Sequence, residues 1–165
     1  MTWTSADDAA EVLTRFREEG AVTDAVVQQA RSACAMHPSR ADLLCLLADL
    51  VRLCPTSPDP AGEAIASLTT AIRIDSRCGR AWQELAFCHD VYRGDADQAE
   101  KCFVEAIRLN AGPDSYYGLA RVLAEQGKSA DALAIVKDGL AMCPGNTRLL
   151  QVHSEINRGD WDPIE

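Results

Sequence analysis

No stretch of this chain stays apolar for the roughly 18 to 20 residues that a membrane-crossing helix needs, so no transmembrane segment is expected. Basic residues are in deficit: 16 Lys and Arg stand against 25 Asp and Glu, a net charge of −9. Affinity for nucleic acid comes largely from clustered cations meeting phosphate. The deficit therefore speaks against a nucleic-acid partner, and equally against an anionic membrane surface. Met1-Thr2-Trp3-Thr4-Ser5-Ala6-Asp7-Asp8 holds neither a basic cluster nor an apolar run, and no secretory leader is read there. The seven cysteines, at 34, 45, 54, 78, 88, 102 and 143, contain no C-x-x-C. Most fall within helical patterns, where a free thiol acts as a small buried hydrophobe. A reducing, cytoplasmic compartment is the expectation.

The signatures of catalysis are missing as well. There is no glycine-rich phosphate loop, no nucleophile elbow and no H-E-x-x-H. His37, His89 and His153 are far apart, and Cys88 and His89, adjacent on a helix, point to different faces. No metal and no cofactor is expected. Cys88 or Cys102 would need nearby cations to become nucleophiles, and only Lys101 stands beside Cys102. The carboxylates are spread along helix surfaces, where charge usually means a solvated face. The chain is not expected to be an enzyme.

What is present is helical periodicity. With 47% apolar and 25% charged residues the 165-residue chain has the composition of a globular protein. Glycine, proline and small polar residues divide it into segments of 12 to 16 residues with apolar positions at helical spacing. None of comparable length alternates like a strand, so the expectation is all-α. A first helix is read from Ser5 to Glu19, capped by Thr4 or Ser5 and stopped by Gly20. Cys54-Pro55-Thr56-Ser57-Pro58-Asp59-Pro60 is a loop in which three prolines forbid a helix. The segments pair into hairpins over about 5–38, 39–76, 77–111 and 112–144, followed by a ninth helix over about 146–157 and a tail, 158–165. One domain spanning 1–165 is expected. Arg-Gly-Asp at 93–95 and at 158–160 falls at hairpin turns, with Gly ending one helix and Asp able to cap the next.

The third and fourth hairpins are copies. Trp82 and Tyr116, Leu85 and Leu119, and Ala86 and Ala120 are each separated by 34 residues. A repeat of this length implies a helical solenoid, whose neighbours stack to bury one continuous core. Trp82, Leu85, Ala86, Ala99, Phe103 and Ala106 form one copy of the seam. Tyr116, Leu119, Ala120, Ala132, Val136 and Pro144 form the next, and Leu44, Leu47, Ala48, Ala64, Leu68 and Ala71 a third with a longer turn. In these residues the chain resembles the tetratricopeptide repeat (TPR) family. The weakest match is the first hairpin, where Val26, Ala30, Ala33 and Pro38 fit but no aromatic opens the first helix. The resemblance implies a right-handed α-solenoid of antiparallel hairpins, about nine helices in all, that binds protein and has no catalytic activity.

In such a stack the first helix of each hairpin lines a concave groove. One step round from the seam stand Asp49 and Arg52, then Arg80, Gln83, Phe87 and Asp90, then Asp114, Tyr117 and Arg121. Aromatics flanked by charges suit a peptide groove, which is the favoured reading; the alternative is packing between adjacent hairpins beneath a solvated charged face. The basic and amide set with which one TPR subclass grips chaperone carboxyl termini is missing from these positions. The expected function is an adaptor holding a peptide or helix of a partner protein. The alternatives are a small acidic chaperone for a dedicated client and a structural protein that self-associates through its ends or through the tail Trp161-Asp162-Pro163-Ile164-Glu165.

Overall fold

The computed structural model describes residues 5–159. Among them are nine α-helices and no strand: α1 Ala6–Glu18, α2 Asp24–Met36, α3 Ala41–Leu53, α4 Pro60–Ile74, α5 Gly79–Cys88, α6 Ala96–Arg108, α7 Pro113–Glu125, α8 Ser129–Met142 and α9 Thr147–Arg158. The tail from Asp160 lies outside the described residues.

Local chemistry sets the helix ends. The side chains of Ser5, Asp59, Asp95 and Asn146 each accept the backbone N–H three residues on, satisfying a donor that the first turn leaves unpaired. The proline loop is shorter than its composition suggests, because Pro60 opens α4. At the first helical position a proline forfeits no hydrogen bond, and its fixed φ suits the helix. Gly20, Asn110 and Gly127 take positive φ after α1, α6 and α7. In each case the next N–H reaches back five residues: Ala21 to Phe16, Ala111 to Ala106 and Lys128 to Leu123.

The end of α5 departs from this pattern. It runs into a π-helical turn, His89–Arg93, before Gly94 takes φ 61°. There Asp95 N–H reaches back six residues, to His89 O. The stretch from Trp82 to Gly94 is one residue longer than its counterpart from Tyr116 to Gly127. The wider turn takes up that extra residue, so Asp95 still caps α6 through Gln98 N–H.

The chain divides into two compact units between Leu85 and Ala86. In the first, α3 packs on α1, α2 and α4. Its core joins Ala9 and Leu13 of α1, Val26, Val27, Ala30 and Ala33 of α2, and Leu43, Leu46, Leu47, Leu50 and Val51 of α3. Leu44, expected in the seam, is only half-buried, while its neighbour Leu43 is fully buried. The face that α3 turns to α1 and α2 is centred on the Leu43, Leu46, Leu47 and Leu50 stripe, and Leu44 lies about 100° round from Leu43. Ala48, Ala64, Leu68 and Ala71 are completely buried.

In the second unit α7 packs on α6, α8 and α9. Phe103 of α6 is fully buried over Gly118 of α7, where a methyl group would stand inside its ring. Tyr116 lies across Gly139 of α8, whose missing side chain also makes room for Leu149 of α9. Ala86, Ala99, Ala106, Leu119, Ala120, Ala132 and Val136 are buried, whereas Tyr116 is half-buried. Trp82, in the first unit, is half-buried too and donates its indole N–H to Ser76 O at 3.0 Å.

Candidate interaction surface

The first helix of each hairpin carries charge on the face beside its buried seam, and most of that charge is already paired. In the first unit Asp49 of α3 is the hub. Its carboxylate is 10% exposed and accepts from three arginines: Arg17 of α1 at 3.0 Å, Arg52 one turn on at 2.6 Å, and Arg80 of α5. Arg52 also reaches Glu84 of α5 at 2.6 Å. Gln83 of α5 is half-buried. Asp49 therefore holds three helices together from within. Arg80, 41% exposed, is the member of the cluster most open to solvent.

In the second unit Asp90, in the π turn, accepts from Arg121 of α7 at 2.7 Å, and Arg121 lies 3.2 Å from Glu125. Burial pushes the Asp90 carboxyl above its ordinary pKa, and the facing guanidinium offsets this only in part. Glu125 is raised by the same cause. Phe87 packs edge-to-face on Phe103, with ring centroids 4.9 Å apart and planes at 82°. Tyr117 of α7 is half-buried, and the Arg148 guanidinium of α9 stands over its ring at 5.7 Å. Arg148 also meets Asp114 at 3.2 Å, and these two are 63% and 47% exposed.

Of the nine residues expected in a groove, Asp49, Arg52, Asp90 and Arg121 belong to pairs with little exposure, and Phe87 to an aromatic contact. The remainder is Arg80, Asp114 and Tyr117 with the half-buried Gln83, and Arg148 joins Asp114 and Tyr117 from outside the nine. The sequence reading did not single out Arg148 or Arg17. A signal for both was present: ion pairs between successive hairpins recur 31 to 34 residues apart, as in Arg17–Asp49, Arg31–Glu63, Arg40–Asp7, Arg52–Glu84, Arg121–Asp90 and Arg148–Asp114. Opposite charges one repeat apart thus mark neighbouring hairpins. The cysteines considered as nucleophiles do not suit that role: Cys88 is fully buried, and burial pushes the Cys102 thiol up to about 11. Among the described residues no group of three or more metal-ligating side chains comes together, and no helix is long and apolar enough to cross a membrane.

Residues 84–147 match the family model described as Tetratricopeptide repeat. No curated protein matches the sequence. Solved structures do match by shape. TTC0263, a thermophilic TPR protein of Thermus thermophilus, aligns with TM-score 0.79 at 16% identity, covering 94% of this chain and 82% of its own. PilF of Pseudomonas aeruginosa aligns with TM-score 0.81 at 17% identity, covering 94% and 68%. YrrB, described as a TPR protein with an unusual peptide-binding site, aligns with TM-score 0.70 at 14% identity, covering 94% and 78%. At such identities the likeness concerns the fold, an all-α helical-repeat solenoid. The family's sequence pattern, in residues 84–147, thus sits within a chain whose all-α solenoid fold is that of tetratricopeptide repeat proteins.

Proposed function

We propose that this protein is a non-enzymatic interaction module that holds a peptide or helix of a partner protein against the first helices of its hairpins. The observation that carries the reading is Tyr117, an aromatic ring at the surface of α7 rimmed by the exposed Arg148 and Asp114. Aromatic and arginine side chains together are the usual anchors of protein recognition. Arg148 and, in the first unit, Arg80 offer guanidiniums to carboxylate or carbonyl oxygens of the partner. Asp49, Asp90 and Arg121 serve by holding these helices in place. The TPR fold is that of a protein-interaction scaffold, and the peptide-binding site named for YrrB supports the same use here. Seven free thiols suit a cytoplasmic setting.

The test is affinity capture from the native host with wild type and with Tyr117→Ala/Arg148→Glu, both shown to be folded by circular dichroism. A protein retained by wild type and lost with the variant, then titrated directly by calorimetry, supports the reading. An identical set recovered by both would remove this face from consideration.

A further inference from the structure

In the first unit the second helices of the two hairpins, α2 and α4, are joined by Arg31 and Glu63, a bidentate pair at 2.7 and 2.6 Å. Counted along the apolar seam, Arg31 follows Ala30 as Val104 follows Phe103, and Glu63 precedes Ala64 as Asp131 precedes Ala132. The equivalent positions in the second unit are thus a valine on α6 and an aspartate on α8. Val104 is 48% exposed. Asp131 is exposed as well, and its carboxylate pairs with none of the described residues. Both line an open cavity of about 280 Å³ between α6 and α8. Val104 and Ile135 form its apolar sides, and Leu119 and Leu123 of α7 its buried floor. Glu100 completes the rim and is held by Lys128 at 3.2 Å. In the first unit the positions of Glu100 and Ile135 are taken by Val27 and Ser67, both buried. One unit therefore carries a guanidinium of its own at this place, and the other leaves a groove with an unpaired carboxylate.

We propose that the groove between α6 and α8 docks an arginine of a partner protein, carried on a segment with apolar neighbours. The guanidinium takes the place on Asp131 that Arg31 takes on Glu63, and the aliphatic stem lies along Val104, Leu123 and Ile135. An arginine suits both halves of the site. Its stem covers apolar surface while its head stays in contact with water, and its planar fork matches a carboxylate through two parallel hydrogen bonds. The net charge of −9 favours the approach of a basic segment. This surface is separate from the one around Tyr117. At about 100° per residue, Leu119 and Leu123 stand roughly 120° to 160° round α7 from Tyr117. The groove therefore offers a second contact, and it stands or falls independently of the first.

The test is a titration of the full chain, followed by methyl NMR, with N-acetyl-leucyl-arginyl-leucine amide and with the same tripeptide carrying citrulline for arginine. Citrulline keeps the shape of the side chain and removes its charge. The arginine peptide is expected to shift the methyl signals of Val104, Leu119, Leu123 and Ile135, and the citrulline peptide to bind about threefold more weakly or worse. Asp131→Asn should bring the arginine peptide down to the citrulline level. Val104→Arg supplies the guanidinium from within the chain. It should raise Tm when Asp131 is kept but not in Val104→Arg/Asp131→Asn, and the folded variant should no longer bind the peptide. Equal binding of the two peptides by wild type would overturn the proposal. So would the absence of shifts at these four residues, or a folded Val104→Arg that binds the arginine peptide as wild type does.

Discussion

A carboxylate with three guanidiniums around it belongs to the interior even when it lies near a surface. Removing Asp49 leaves Arg17, Arg52 and Arg80 facing one another with 29%, 17% and 41% of their side chains exposed. Loss of one partner from a buried pair costs about 3–5 kcal/mol, and partial exposure places Asp49→Ala at the lower end, about 3 kcal/mol. Arg80→Ala should cost about 1 kcal/mol or less, because the better solvated partner contributes little. Urea denaturation of both variants checks the order; equal losses would mean that Asp49 is not the hub. Gly118 shows the opposite case, in which a residue stabilises by having nothing to offer. Alanine is the better helix former by about 1 kcal/mol, yet its methyl would enter the Phe103 ring. Gly118→Ala is therefore expected to lower stability by about 1–3 kcal/mol, and a more stable variant would show that the ring can move aside. Asp90 has a pH consequence. Its folded pKa is raised, so the folded state binds the proton more tightly than the unfolded one. Its contribution favours folding at low pH and is lost as pH rises from the unfolded value through the folded one. In Asp90→Asn that dependence disappears, so the variant should gain on wild type as pH rises out of the ordinary carboxylate range. Denaturation midpoints of the two proteins along a pH series measure this, and a constant difference would count against it.

At the scale of helices, what could be read in advance was what is local. Apolar spacing, the caps at Ser5 and Asp95, and the stops at Gly20, Gly94 and Gly127 all act within one or two turns, and the nine described helices follow from them. The π turn does not announce itself, since His89–Arg93 has ordinary helix-compatible residues. Its cause lies in a comparison of repeats: one residue too many between Trp82 and the stopping glycine. In a regular α-helix that residue would rotate everything after it by about 100°. The wide turn confines the disturbance to a stretch where Val91 is 60% and Tyr92 46% exposed. Deleting Val91 should thus convert the turn to regular helix while keeping His89 and Asp90 in place. The expected shift in Tm is no more than about 2–4 °C, what about 1 kcal/mol produces in a chain of this length. A collapse of the melt would show that the turn itself is required.

At the scale of the whole molecule, the repeat and its likeness to the family pattern were legible because 34-residue identities such as Leu85 with Leu119 survive any detail of packing. The candidate surface was less so. Asp49, Asp90 and Arg121 stand at the expected step round from the seam, but whether such a residue meets a partner or the next hairpin depends on how far each helix is rotated, and periodicity alone leaves that open. For these three, ion pairs one repeat apart make a neighbouring hairpin one of the contacts. Their worth can be measured at Arg31–Glu63, a bidentate pair at 2.7 and 2.6 Å with 35% and 28% exposure. Arg31→Glu should destabilise, and adding Glu63→Arg should recover about 0.5–1 kcal/mol; a double variant no better than the single one would make the pair incidental. Hairpins whose apolar seams are near copies could in principle dock on any neighbour, or on a hairpin of another molecule. A charge on one that fits its complement only on the hairpin next in sequence works as an address label, so that the order of the chain is also the order of assembly.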